Sequence, residues 1–268
     1  MLRFENITFS YDEKTKVLKD VTLNIEKGKK TVFLGENGSG KSTLFLIMNG
    51  ILKAQKGNLY FEREKIKYKK KNLEKLRRKV GIVFQDPEIQ IFAPLVFQEV
   101  AYGPENLGFS CEKVEKSVIR AMNEVNIEDL SDRPCHHLSY GQKKRVSIAA
   151  ITAMDPELLI LDEPTAWLDS KNTKRISEIL DNCSKAGKTL VVSTHDTDFA
   201  YEFADYIYVL EKGEIVRQGS RDEVFEDFTF LRKSNLNIPN VLKIKSYLRH
   251  KNIDENDYYK FLEENNLL

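Results

Sequence analysis

Cysteine is scarce in this chain. Its 268 residues include three, Cys111, Cys135 and Cys183, an odd count with no Cys-x-x-Cys pair. A disulfide framework and a zinc knuckle are therefore poor readings, and a reducing compartment is the expected setting. Long apolar runs are also missing. The longest compact patch is Leu-Phe-Leu-Ile-Met at 44–48, far short of the roughly 18 residues that mark a membrane span. The opening segment has no apolar stretch after a basic start, so no signal peptide is expected. Neither sign of charge dominates: Lys and Arg total 42 against 41 for Asp and Glu. That balance gives no general reason to expect nucleic acid or an anionic membrane as a partner. Tryptophan occurs once, at Trp167. Apolar content is not lacking; at 41% it supports a sizeable core.

Strands alternate with helices along most of the chain. Residues 2–25 read as β structure, with Val21, Leu23 and Ile25 alternating onto one face. The run Thr-Val-Phe-Leu-Gly at 31–35 reads as a buried strand leading through a glycine loop to a helix that Gly50 closes. Residues 58–62 and 80–85 are further strands. Between them, residues 63–79 hold ten basic and two acidic side chains, read as a solvated surface, with lipid headgroups a minor alternative. From about 96 to 155 the chain reads as mostly helical, Val114, Val118, Met122 and Val125 sharing one helix face. Residues 158–164 form the plainest buried strand, stopped by Pro164. An amphipathic helix ending at Gly187, a strand at 189–196 and a hairpin at 206–219 follow. The stretch from about 220 onward is helical and charged, divided by Pro239. The fold class expected is α/β, a parallel sheet covered by helices with an antiparallel portion at the front.

One motif carries strong chemistry. Gly-Glu-Asn-Gly-Ser-Gly-Lys-Ser at 35–42 fits G-x-x-x-x-G-K-[ST] at Gly35, Gly40, Lys41 and Ser42. Glycines let the backbone wrap so that several N–H groups face phosphate oxygens, and the next helix adds its positive end. Lys41 then reaches the β and γ phosphates, and the Ser42 hydroxyl sits on Mg²⁺. Asp162, at the end of a neighbouring strand, is placed to supply the metal carboxylate. Glu163 follows it. In extended backbone the two side chains point opposite ways, which leaves Glu163 to face the attacking water as base or orienting group. His195 and Gln85 also end strands, the edge at which open α/β sheets hold ligands. His195 is a candidate for the γ phosphate or the water, Gln85 for metal or water.

A second anion site is written at Leu-Ser-Tyr-Gly-Gln, 138–142. Ser139 precedes Gln142 by three positions, the capping-box pattern, so a helix is expected to start there. Lys143, Lys144 and Arg145 follow, disfavoured near a helix N-terminus on dipole grounds. Two readings stay open from these residues: a nearby anion or acidic partner, or a capped core helix with a solvated basic face.

Taken in order, Gly35–Ser42, Gln85, Leu138–Gln142, Leu158–Pro164, Ala166–Asp169 and Ser193–Asp196 resemble the nucleotide-binding domain of ABC transporters, over roughly residues 1–218. The resemblance implies an ABC-type P-loop ATPase with a parallel core sheet, an antiparallel β subdomain and a helical signature subdomain at about 86–155. Residues 219–268 would form a small helical C-terminal extension that helps subunits pair. It implies two domains stacked head to tail with Mg²⁺ and ATP between them. The cradle, Glu36, Asn37, Gly38, Ser39 and Thr43 included, would face Ser139, Tyr140, Gly141 and Gln142 of the second copy. Carried over position by position, Tyr11 stacks on adenine, Gln85 is the Q-loop glutamine that with Ser42 and Asp162 serves the metal, and Glu163 is the catalytic carboxylate. Asp169 belongs to the D-loop and His195 is the switch histidine. Two residues depart from the pattern: Tyr140 stands where glycine is usual, and Trp167 where a small residue is commoner.

Residues 84–108 and 136–169 resemble the ATPases of energy-coupling-factor importers, including the cobalt-transport type, and 236–248 resemble their C-terminal extension. That branch implies a second ATPase subunit, identical or related, a transmembrane coupling subunit and a substrate-binding membrane subunit, with no nucleic acid. Asp86, Pro87, Gln90 and Phe92 would receive the coupling helix, and the chain would sit peripherally at the cytoplasmic face of the membrane. It would power uptake of cobalt, nickel or a vitamin. The alternative from another class is a soluble ABC ATPase acting on nucleic acid or ribosomes, which the near-zero net charge argues against. Cys135, His136 and His137 invite a metal site, but adjacent side chains in extended chain diverge, and none is expected.

Overall fold

The computed structural model describes residues 1–12, 14–251, 253–254, 258 and 260. Strands β1 (Leu2–Ser10), β2 (Lys16–Ile25) and β3 (Lys30–Leu34) lead into helix α1 (Lys41–Met48). Then come β4 (Lys56–Phe61), β5 (Glu64–Lys65), α2 (Lys70–Lys79) and β6 (Val80–Val83). Four helices follow: α3 (Pro87–Gln90), α4 (Val96–Asn106), α5 (Cys111–Glu124) and α6 (Tyr140–Thr152). The chain returns through β7 (Leu158–Leu161), α7 (Ser170–Lys185), β8 (Thr189–Thr194), α8 (Thr197–Phe203), β9 (Tyr206–Glu211) and β10 (Glu214–Ser220). Helices α9 (Arg221–Phe225), α10 (Phe228–Lys233) and α11 (Asn240–His250) close it.

The strands form two sheets. One is antiparallel, in the order β2-β1-β4-β5; the other runs β10-β9-β3-β8-β7-β6. In the second, β9, β3, β8, β7 and β6 are parallel and only the edge strand β10 is antiparallel. Its strands read as unbroken apolar runs because both faces are covered. Val32, Leu159, Leu161, Leu190 and Val192 face the helical core with α4 to α8, while Phe33, Leu158, Ile160 and Val191 face α1 and the antiparallel sheet. Helix α1 buries residues around most of its circumference, as a helix enclosed on two sides must. Phe33 contacts Phe45 edge-on and stacks on Tyr208, pinning the strand before the glycine loop to the helix after it.

Val21, Leu23 and Ile25 are buried on one face of β2, and Val114, Val118, Met122 and Val125 on one side of α5 and its end. Gly50 and Gly187 follow α1 and α7 with φ of 75° and 85°, the left-handed conformation glycine takes at helix ends. The basic run is partly helical: α2 buries Leu76 alone, and its charges are mostly exposed. Three are engaged: Lys75 pairs with Glu64, Arg77 donates to the Gly50 carbonyl, and Lys79 bridges Glu62 and Glu157. The boundary expected at 218 falls inside β10, and Val224, Phe225, Leu231 and Leu236 beyond it join the helical core. The last part of the expected extension, 261–268, lies outside the described residues. Among the described residues no helix is long and apolar enough to cross a membrane.

Parallel pairing positions the chemistry. β3, β8, β7 and β6 are neighbours in register, with Leu34 opposite Thr194, Val192 opposite Leu161 and Leu161 opposite Val83. Their C-terminal ends therefore share one edge, which receives the 35–40 loop, His195, Asp162 with Glu163, and Gln85.

Candidate functional site

The glycine loop is shaped by contacts that admit no side chain. A Cβ on Gly35 would lie 2.2 Å from the Leu210 carbonyl oxygen, and Gly40, with φ of 107°, occupies the left-handed region just before α1. Lys41 begins the helix and folds back: its Nζ donates to the carbonyls of Gly35 at 2.6 Å and Glu36 at 3.0 Å. Ser42 is exposed in the first turn, Ser39 is buried, and Asn37 and Gly38 edge the loop. The Glu36 carboxylate turns away and accepts from Asn235 Nδ2 at 2.9 Å, tying the loop to the chain after α10. Tyr11 is 62% exposed; its ring meets Phe9 edge-on, and its hydroxyl lies 3.2 Å from Thr43 Oγ1.

The two carboxylates sit on a different backbone from the one expected. Asp162 continues the β7 ladder through its N–H to Val83, but Glu163 has φ of 43°. The strand has already turned at Glu163, so alternation along an extended chain does not aim it; the left-handed turn does. Ser193 holds the junction together. Its hydroxyl accepts from the Glu163 N–H and donates to Asp162 Oδ1. Glu163 Oε2 lies 3.0 Å from His195 Nδ1, and Oε1 lies 3.8 Å from Lys41 Nζ. His195 is fixed from behind, because Asp196 caps α8 and accepts from the N–H groups of Asp198 and Phe199. The imidazole itself is 64% exposed while Glu163 is buried. Burial pulls the Lys41 ammonium below the usual lysine range, against the opposing pull of Glu163 and Asp162.

These groups line one cavity of about 290 Å³: Lys41, Ser42, Thr43, Gln85, Asp162 and Glu163, with Val17 and the loop glycines. Glu163 Oε1 is buried there without a hydrogen-bond partner, as is Ser39 Oγ in the loop. The donor set suits Mg²⁺. The Ser42 hydroxyl and the Asp162 carboxylate are hard oxygens, and a Mg²⁺ site typically draws one or two carboxylates from protein and the rest from phosphates and water. Among the described residues no cluster of three or more His, Cys, Asp or Glu side chains is arranged to hold a metal by itself.

The signature segment lies elsewhere. Ser139 accepts from the Gln142 N–H and the Gln142 amide oxygen accepts from the Ser139 N–H, a complete capping box at the start of α6. Of the two readings left open, the capped core helix holds, but its basic side chains are not a solvated face. Lys143 pairs with Glu88 at 2.6 Å. Lys144 is fully buried and donates to the carbonyls of Phe84 at 3.1 Å and Gln85 at 2.7 Å. Arg145 is buried and donates to the carbonyls of Val125 and Asn126. The charges tie α6 to the rest of the chain rather than facing solvent. Gly141 is closely covered by Asn172, the residue that Asp169 orients as it caps α7.

Of the four residues expected to receive a coupling helix, Pro87 is buried and Gln90 is spent internally, accepting from the Phe84 N–H and donating to the Ser147 carbonyl. Asp86 caps α3. Phe92 is exposed and meets exposed Tyr102 edge-on, with exposed Ile89 on α3. Glu99, buried, holds the loop by accepting from the N–H groups of Phe92 and Ala93. Cys135 is buried while His136 and His137 are exposed. Sequence reasoning missed Ser193, Lys144, Glu99 and Asn172. A serine one position before the strand-end threonine, facing the neighbouring carboxylate strand, was the only available signal for Ser193.

Against known proteins, the family model for the ABC transporter matches residues 18–166. The chain belongs to the ABC transporter family. It is an ABC ATPase domain, with the mixed sheets and helices of that fold. It is 46% identical over 247 residues to the energy-coupling factor transporter ATP-binding protein EcfA of Methanocaldococcus jannaschii, covering 92% of this chain and 88% of that one. It is also 46% identical over 244 residues to a putative ABC transporter ATP-binding protein of Methanosarcina mazei, covering 91% of this chain but 54% of that one, about half its length. Among solved structures, cbiO1 from Clostridium perfringens, part of the ABC transporter complex cbiONQ, superposes with a TM-score of 0.79 at 41% identity, covering 91% and 98% of the two chains. A dimeric ATP-binding cassette in a post-hydrolysis state, bound to ADP and Pi, gives 0.75 at 31% identity, covering 82% and 99%.

Proposed function

We propose that this chain hydrolyses Mg·ATP as the ATP-binding subunit of an energy-coupling-factor importer. It would work in a head-to-tail pair with a second copy or a related subunit. The observation that carries the reading is the convergence of Lys41, Ser42, Gln85, Asp162 and Glu163 on one cavity, with Glu163 bonded to His195. Lys41 and the loop N–H groups bind and orient the phosphates. Glu163, held by His195 and freed from solvent, orients the water and takes its proton for in-line attack on the γ phosphate. His195 keeps the carboxylate aimed. Ser42, Asp162 and Gln85 would hold Mg²⁺, which would supply positive charge against the phosphate oxygens. Tyr11 stacks on the adenine, and the Ser139 hydroxyl with the Gly141 N–H faces the ATP of the other subunit.

The exposed Ile89, Phe92 and Tyr102 support docking on a membrane subunit at the helical face. The transported solute in this reading is cobalt, nickel or a vitamin, and the chain sits peripherally at the cytoplasmic face. The test is affinity purification of the full chain from detergent-solubilised membranes, with ATPase assay of the eluate. Stoichiometric integral membrane subunits with Mg²⁺-dependent turnover support the reading. An active chain that elutes without membrane subunits overturns the transporter part and leaves the ATPase part standing.

A further inference from the structure

The two residues that depart from the family pattern meet each other. Tyr140 and Trp167 pack edge-on with centroids 5.8 Å apart at 70°. The phenol of Tyr140 then donates to the Gln85 carbonyl at 3.3 Å. Lys144, one turn along α6, donates to that same oxygen at 2.7 Å. Both acceptor directions of the Gln85 carbonyl are thus used by one helix. Trp167 is 69% exposed and has φ of 62°, a conformation a bulky residue adopts only when its surroundings impose it. The tight turns of 163–168 that follow Glu163 supply that constraint. A single chain of contacts therefore runs from the turn after Glu163, through Trp167 and Tyr140, to the backbone of Gln85.

We propose that Tyr140 is a positioning residue for Gln85: its phenol, braced by Trp167, fixes the backbone at the end of β6 and so sets the reach of the Gln85 side chain into the nucleotide cavity. The inference rests on the assignment of Gln85 to that cavity's chemistry made above. It adds a link within one subunit between three loops, where glycine at 140 would supply neither ring nor hydroxyl. Tyr140 touches no reacting atom. Its effect is on where Gln85 stands, so it alters the rate of the chemical step rather than the binding of ATP.

Tyr140→Phe keeps the ring against Trp167 and removes the O–H. The full-length protein, Y140F, Q85A and the double variant are compared in steady-state ATPase assays, and by amide hydrogen exchange without nucleotide. Y140F is expected to lower kcat about three- to tenfold with the KM for ATP within about twofold. Exchange in the 84–90 segment should quicken while that in 35–43 stays unchanged. The double variant should be no slower than Q85A, since both changes act through one group. Wild-type kinetics and exchange in Y140F beside an impaired Q85A overturn the inference alone. A raised KM with unchanged kcat also overturns it, because the phenol would then be touching nucleotide on another subunit. Wild-type turnover in Q85A removes Gln85 from the site, and the inference falls with it.

Discussion

At the strand edge, three segments of one chain deliver Lys41, Gln85, Asp162 and Glu163 to a single cavity; Lys41, Asp162 and Glu163 are buried, and Ser193 and His195 bond the two acidic residues. At the start of α6, Ser139 is exposed, the capping box is closed on itself, and none of residues 139–142 lines that cavity. The two regions carry the two anion sites expected from sequence, yet only the first is assembled within the chain. The second is a helix end whose cations are all used internally, so what it offers is N–H groups and Ser139. A site completed by its own chain is recognised by its internal contacts. A site that needs a second surface is recognised by a well-built end that lines no part of its own chain's cavity.

The largest test of that contrast is Glu163→Gln. The cradle, Lys41 and Asp162 remain, so ATP binding is expected to persist, while phosphate release falls by about 10²–10⁴-fold through loss of the base. Near-normal turnover would take Glu163 out of the chemistry and make its bond to His195 structural. The next test asks whether the α6 end works on another chain. Lys41→Ala and Ser139→Arg should each be inactive alone. Mixed, they form hybrid dimers in which one of the two sites pairs an intact cradle with an intact helix end, so about a quarter of wild-type turnover should return. No recovery on mixing, in a sample shown to exchange subunits, would mean that the two regions serve the same chain.

What sequence could reveal divides along the same line. The glycine spacing and the apolar strand before it announce the cradle, because the backbone geometry that wraps a phosphate has few sequence solutions. Ser139 and Gln142 announce the helix start for the same local reason. Lys144 was not legible: a lysine in a basic run reads as solvated, and the carbonyls that bury it, at 84 and 85, are some sixty positions away. Glu163 was legible as a carboxylate after a strand but not as a residue with φ of 43°, since only the tertiary turn imposes that conformation. Gln90 read as surface because nothing local shows that the Phe84 N–H and the Ser147 carbonyl claim its amide.

A smaller effect probes how the cradle is held. Ser193→Ala leaves the Glu163 N–H and Asp162 Oδ1 without the hydroxyl that joins them, in a place water reaches poorly. Unfolding in urea should show a loss of about 1–3 kcal/mol. An unchanged midpoint would mean the junction relaxes enough to re-satisfy both groups, and the cavity is then less preorganised than the contrast with α6 requires.

An effect of similar size concerns the charge that anchors α6. Burial pulls the Lys144 ammonium from the usual 10.5 down to about 8, against the opposing pull of Asp162, Asp86 and Glu163. A lysine whose folded pKa lies below its unfolded value binds fewer protons folded than unfolded between those two values, so its contribution to stability rises as pH climbs through them. Below about 8 both states are protonated and the desolvation penalty is constant. Lys144→Met carries no such proton. The stability of wild type relative to K144M should therefore rise between pH 8 and 10.5, by about 1–3 kcal/mol, in urea titrations at stepped pH. Because every other titration is common to both proteins, the difference isolates this one group. A flat difference would mean that water reaches the ammonium, and α6 would then be held to residues 84–85 by hydrogen bonds that solvent contests.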